Sequence, residues 1–352
     1  MRLQQLLALL LVGADGWTGG DGTPIRANVL PRARGANYVP SYSRNPVQTW
    51  VDYDHATVDR ELGFAASARL NTVRVFLHSV VWRFNAALLL RNMGDFVGAC
   101  HSHGVRPLFV LFDSDFGNAS VSPGFITSGE YKTAGWVPNP GEALMGREHW
   151  AEMDAYVRDI AAHFGSDERI LGWDIINEPH FLNGTVPVDF IGHYLELTNN
   201  LTTQLTTLDT IMPGGPLPQF RDRVQATERA LSFHDYGGPE MQAEASALKA
   251  AADAAGKPVF ASETGGWPAS VNPGSKFAGF CRSTLLFETV GVGWFFWELV
   301  IHPDQFSPNG VFWPNGSLPF PGVLRCIRNP TELLCAESLC YNTSVDSLDV
   351  VR

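Results

Sequence analysis

The chain has 352 residues, enough for one large domain or two small ones, and 45% hydrophobic against 17% charged residues describes a globular core, not a disordered polymer. Acidic residues outnumber basic ones 36 to 25, giving a net charge of −11 without any Lys/Arg-rich run, which argues against a nucleic-acid partner. Neutral or weakly charged ligands fit better, and ten tryptophans suit a surface that stacks on sugar rings.

Along the chain, Met1-Arg2 and the apolar run Leu6 to Val12 read as a secretory leader over residues 1–16, with Val12 and Ala14 at the positions a signal peptidase inspects. That run is much shorter than a span of ~20 residues, and no later segment is longer and apolar, so no stable membrane association is expected. Asn-x-Ser/Thr sequons at Asn118, Asn183, Asn200, Asn315 and Asn342 point to the same extracytoplasmic, secreted route. Residues 17–34 are Gly-rich and read as an irregular lead-in. From residue 35 strand-like runs alternate with helical ones. The strands expected are Ala36–Val39, Thr72–Leu77, Pro107–Phe112, Ile170–Asn177, Thr210–Pro213, Ala230–His234, Pro258–Ser262 and Val292–Trp297. Amphipathic helices fill the gaps, among them Ala56–Ala68, Ala86–His103, Arg147–Phe164, Val188–Thr207, Glu240–Ala255 and Lys276–Thr289. This order predicts an α/β fold, a single-domain (β/α)8 TIM barrel over residues 35–318. The fifth strand has the weakest pattern. Residues 114–146, with little periodicity, are expected to overhang the barrel mouth. Residues 319–352 form a Cys-containing extension. Of Cys100, Cys281, Cys326, Cys335 and Cys340, the last three crowd that tail, and a local disulfide among them is expected; their spacing matches no zinc site.

Two apolar runs end on carboxylates: Gly172-Trp173-Asp174-Ile175-Ile176-Asn177-Glu178-Pro179 and Phe260-Ala261-Ser262-Glu263-Thr264-Gly265. An ionisable group at the last position of a buried parallel strand sits where the barrel opens to solvent. On the second strand a period of two sends Val73, Val75 and Leu77 towards the helices and Arg74 into the barrel. A guanidinium there needs a carboxylate, either Glu263 in a functional role or Asp174 in a structural ion pair. His234 and Tyr236 alternate onto the mouth side of the sixth strand, where a phenol can donate to a carboxylate and an imidazole can bind a sugar hydroxyl. Trp297, closing an aromatic eighth strand, is a floor for a pyranose. Glu298 beside it binds a hydroxyl or pairs with a cation.

The set Arg74, Asn177-Glu178-Pro179, His234-x-Tyr236, Glu263 and Trp297 resembles the clan A glycoside hydrolases, most closely the cellulase and mannanase-like family 5. The resemblance covers roughly residues 35 to 300, with the motifs in the family's order. It implies a retaining β-glycosidase in which Glu178 is acid/base, Glu263 is nucleophile, and Arg74, Asn177, His234, Tyr236 and Trp297 bind substrate. Glu178 would start protonated, and Asn177 would bind the 2-hydroxyl. The expected substrate is a β-linked oligo- or polysaccharide, β-mannan or β-glucan above others, and no metal or organic cofactor is required. One departure stands out: many relatives end the third strand on a sugar-binding His, whereas this chain reads Leu111-Phe112-Asp113-Ser114-Asp115. A carbohydrate-binding barrel without hydrolysis, or a transglycosylase, would carry the same residues.

Overall fold

The structure, a computed structural model, describes residues 33–114, 119–179, 187–209, 224, 226–236, 241–265, 273–302, 310–319 and 322–330. The expected leader, the lead-in up to residue 32, the sequons at Asn118, Asn183 and Asn342, and Cys335 and Cys340 lie outside them. Among the described residues no helix is long and apolar enough to cross a membrane.

Eight parallel strands form one sheet: β1 (Arg34–Asn37), β2 (Thr72–Phe76), β3 (Arg106–Asp113), β4 (Gly172–Asn177), β5 (Leu205–Thr207), β6 (Leu231–Asp235), β7 (Val259–Thr264) and β8 (Gly293–Phe296). Their spatial order is β5-β4-β3-β2-β1-β8-β7-β6. The two ends meet through a parallel bridge from Asp209 to Ser232 and a 2.8 Å hydroxyl contact from Thr207 to Ser232, which all but closes the barrel. β2, β4, β6, β7 and β8 are buried throughout, because helices cover the sheet outside and side chains fill it inside. Outward residues such as Val73, Val75, Trp173 and Ile175 join the sheet–helix core; Leu108, Leu205, Phe260 and Phe295 fill the barrel floor. Gly35 makes room for that floor, since a Cβ there would sit 2.4 Å from the Phe295 ring. The (β/α)8 architecture expected from the sequence is the one observed.

Three local expectations need correction. The helix read as Val188–Thr207 ends at Leu201, with Thr202 already extended, and the fifth strand follows at Leu205–Thr207 instead of Thr210–Pro213, which lies outside the described residues. Leu201, Leu205 and Leu208 continue a helical spacing, but the β-branched Thr202, Thr203, Thr206 and Thr207 favour a strand, and Leu205 points into the barrel. The helix expected from Ala86 starts at Ser79, with a kink at Asn85 whose side chain caps the second part by accepting from the Leu88 N–H at 3.0 Å. Cys326 bonds to Cys281, not to a cysteine of the tail. The bond ties the short helix Val323–Arg328 to the helix Pro273–Val290, a pairing across 45 residues that tail spacing could not reveal.

Candidate active site

β2, β4, β6 and β7 deliver their polar residues to the C-terminal mouth, and Arg74 is the hub. Its guanidinium is fully buried and donates to Asp174 Oδ2 (2.9 Å from Nε), Asn37 Oδ1 (2.9 Å), Glu263 Oε1 (2.6 Å) and Asn177 Oδ1 (2.7 Å). Both partners left open by the sequence are therefore engaged at once. Burial opposes the charge on Arg74, but Asp174 and Glu263 outweigh it and hold the guanidinium above its ordinary value. Burial lifts Asp174 above the usual carboxylate range, with Arg74 pulling the other way.

Each glutamate reaches the mouth through a backbone irregularity. On β7 the register with β6 slips between Phe233↔Ala261 and His234↔Glu263, so Ser262 is an extra residue. Strict alternation from the inward Phe260 would send Glu263 towards the helices; the bulge re-aims it inward. The Ser262 carbonyl freed from the ladder accepts from Asn37 Nδ2 at 3.0 Å. On β4 the device is Glu178 itself, whose φ of 43° lies in the left-handed region, a strained conformation for a residue with a Cβ. Ser114 Oγ donates to the Glu178 carbonyl at 2.6 Å and fixes that turn.

Glu263, 4% exposed, accepts from Arg74 at one oxygen and from the Tyr236 hydroxyl, through a short hydrogen bond, at the other. Burial and then the charges of Glu263 and Glu178 push the Tyr236 phenol well above its ordinary value, so it stays a donor. Glu178, 7% exposed, meets His234: Oε1 lies 2.6 Å from Nδ1. The same nitrogen is 3.7 Å from Glu263 Oε2 and 3.7 Å from Asp209 Oδ2. Burial disfavours a charged imidazole, but Glu263, Asp209 and Glu178 together push it up to about 9. At neutral pH Nδ1 thus donates to Glu178. The ring of His234, expected to bind a sugar hydroxyl, braces a carboxylate with Nδ1, and its Nε2 has no hydrogen-bond partner among the described residues.

Asn177 Nδ2 donates to Asp113 Oδ1 at 3.0 Å while its carbonyl accepts from Arg74. An amide nitrogen has two hydrogens, so one donor remains for a ligand. Trp297 is half-buried at the end of β8, edge-on to Phe76 and to Trp136. Glu298 is buried 3.9 Å from His302 Nε2. Burial holds that imidazole down to about 4, neutral, and it hydrogen-bonds the Val39 carbonyl. The ring is therefore no cation for Glu298 to pair with.

Glu178, Asp209 and His234 bring ligand-type atoms within 4.8 Å of one another. The three are joined by the His234–Glu178 hydrogen bond at 2.6 Å, with Asp209 3.7 Å from the same nitrogen. Sequence reasoning gave no role to Asn37, Asp113, Trp136 or Asp209. Two of them left a signal: Asn37 lies between the outward Ala36 and Tyr38, and Leu205, Thr207 and Asp209 alternate inward, as a strand-end carboxylate should.

No protein-family model matches the chain, and no curated protein matches it. Solved structures do. The endo-1,4-β-mannanase from Rhizomucor miehei superposes with a TM-score of 0.60 at 14% identity, covering 84% of this chain and 94% of that one. A GH5_18 protein from Streptomyces cattleya in complex with Manβ1-4GlcNAc gives 0.61 at 17% identity, covering 87% and 82%. Thermotoga maritima Cel5A in complex with cellobiose gives 0.57 at 14%, covering 86% and 97%. The chain has the barrel fold of the family 5 glycoside hydrolases. Identities this low establish the fold and leave the chemistry to the site.

Proposed function

We propose that the protein is a retaining β-glycosidase acting on a β-linked oligo- or polysaccharide, with Glu263 as nucleophile and Glu178 as acid/base. The observation that carries this reading is that both glutamates share one imidazole nitrogen, at 2.6 and 3.7 Å. Their facing oxygens are no farther apart than those two distances laid end to end. That bound on the nearest oxygens sets both carboxylates across one site and is compatible with the ~5–5.5 Å carboxyl separation of direct attack.

In the first step Glu178 gives its proton to the glycosidic oxygen as the bond to the anomeric carbon breaks and an oxygen of Glu263 bonds to that carbon. In the second, Glu178 takes a proton from water, whose oxygen displaces Glu263. Arg74 and Tyr236 occupy both oxygens of Glu263 and aim it. The spare N–H of Asn177 suits the 2-hydroxyl, and Trp297 suits the apolar face of the ring. β-Mannan and β-glucan are the favoured substrates, in line with the mannanase and the cellobiose complex among the structural neighbours.

Secretion belongs to the same reading: the Cys281–Cys326 bond fits an oxidising compartment, and the sequon residues Asn200 and Asn315 are both exposed. The deciding experiment screens β-mannan, β-glucan, xylan and aryl β-glycosides, with Glu263→Ala as control, and follows the anomer first released by NMR. A β-anomer supports the reading. An α-anomer overturns the retaining mechanism, and no turnover overturns the glycosidase.

A further inference from the structure

Asp113, 1% exposed, closes β3. It does not reach for a ligand with both oxygens. One accepts from Asn177 Nδ2 at 3.0 Å; the other accepts from the indole N–H of Trp136, through a short hydrogen bond. Trp136 lies on the long segment after β3. That segment is pinned back to the strand by a two-way backbone bridge, Asp113 N–H to the Asn139 carbonyl at 2.6 Å and Asn139 N–H to the Asp113 carbonyl at 2.8 Å. The half-buried Trp136 ring stands 6.1 Å from Trp297 at 66° between planes, and 5.0 Å from Phe76 at 87°. Phe76 in turn lies under the Arg74 guanidinium, 4.9 Å away.

A continuous run of hydrogen bonds therefore leads from a loop tryptophan to the glutamate assigned as nucleophile: Trp136 to Asp113, Asp113 to Asn177, Asn177 to Arg74, Arg74 to Glu263. Two indoles inclined at 66° make a corner, and a corner accepts what a single floor does not. The apolar face of a pyranose stacks on one ring while its C–H edge meets the other. A buried carboxylate that spends its acceptors on an indole and an amide holds both in place, because leaving either donor unpaired would cost binding and order alike.

We propose that Trp136 is a substrate-contacting residue, the second wall beside Trp297 of the seat for the sugar undergoing cleavage. Asp113 is the positioning residue that keeps this wall in register with Asn177. The ligand class is a β-linked pyranoside with an exposed apolar C–H face. The inference rests on the glycosidase reading above for what happens in the seat, but not for whether sugar occupies it.

An aryl β-glycoside carries only the sugar being cleaved, so it isolates this seat. kcat and KM for such a glycoside and its 2-deoxy analogue are compared in wild type, Trp136→Ala, Trp136→Phe and Asp113→Asn, with thermal melting to certify folding. Trp136→Ala raises KM about tenfold with a smaller change in kcat, and Trp136→Phe recovers part of the loss. Asp113→Asn lowers kcat/KM and shrinks the preference for the 2-hydroxylated over the 2-deoxy substrate, which a merely structural role would leave unchanged. A folded Trp136→Ala with wild-type KM overturns the seat, as does a wild-type KM in Trp136→Phe where the Ala variant does not fold, and an unchanged 2-hydroxyl preference in Asp113→Asn overturns the positioning role. Should the wild type turn over no glycoside, the enzymatic reading falls, and the seat is judged by calorimetric titration with mannobiose and cellobiose. Wild-type binding lost in Trp136→Phe or Trp136→Ala then upholds it; no binding, or equal binding, overturns it.

Discussion

His234 and Glu178 meet nitrogen to oxygen at 2.6 Å inside the barrel mouth, with Glu263 and Asp209 each 3.7 Å from the same nitrogen. An imidazole so placed is the meeting point of β4, β6 and β7 and of the segment after β5. Its charge balances carboxylates that would otherwise repel one another at short range. The site is thus organised around two buried cations, Arg74 under Glu263 and His234 beside Glu178.

A pH dependence follows from that arrangement. Folding raises His234 from an ordinary value of ~6.5 to about 9, so its contribution to stability is complete below pH ~6.5 and is lost as pH rises through 9. The melting temperature of the wild type, measured from pH 6 to 10 against His234→Gln, should show a gap that narrows across this window. A gap independent of pH would mean that the imidazole is neutral throughout.

The two glutamates should fail differently. If Glu263 is the nucleophile proposed above, Glu263→Ala should lower kcat about 10⁴-fold or more for every substrate, because the glycosyl-enzyme then forms on that carboxylate. Glu178→Ala should cost about 10²–10⁴-fold with a poor leaving group. With a nitrophenolate, which departs without a proton, the loss in the bond-breaking step should be much smaller. Rate measurements over a series of aryl leaving groups check this. Equal defects across the series would unseat the division of roles.

Much of this site was legible because a barrel strand writes its inside in alternate letters. Val73-Arg74-Val75 announces an inward charge between two outward valines, and the spacing of His234 and Tyr236 announces a shared face. Glu263 was legible only through its motif: nothing in Ala261-Ser262-Glu263 announces an extra residue, and alternation alone sends that carboxylate to the helices. Asp113 and Trp136 are 23 residues apart, and their contact depends on how an aperiodic segment returns to its strand. The fifth strand was misplaced for a related reason, since leucines spaced as on a helix continue across the helix end at Leu201. Local pattern reports the side of a strand; it does not report where the ladder slips or a loop lands.

Removing Arg74 should destabilise the fold as well as the reaction. Arg74→Met takes the guanidinium away from the buried Asp174 and Glu263 and leaves His234 as the nearest cation, a change that costs about 3–5 kcal/mol. Arg74→Lys keeps the charge but cannot reach Asp174, Asn37, Glu263 and Asn177 together, so it should fold better than Arg74→Met and still lose activity. Urea unfolding of the two variants beside kcat/KM separates the effects. A Met variant as stable as wild type would show that Asp174 is held neutral without its partner.

The Cys281–Cys326 bond closes a 45-residue separation and clamps the last described helix to the barrel wall. That helix also donates from Arg328 Nε to the Ser67 carbonyl at 2.8 Å, and Arg34 reaches the Arg328 carbonyl at 3.4 Å, so the clamp joins early and late segments of the sequence. Cys281→Ser with Cys326→Ser restores the freedom of that loop in the unfolded chain and should cost about 2–4 kcal/mol. The mouth lies at the C-terminal ends of the strands, whereas Arg34 opens β1 at the opposite end of the barrel. kcat and KM measured well below the melting temperature should therefore hold near wild type while the melting temperature falls. A double variant that melts normally but loses activity would place the C-terminal helix in contact with the site.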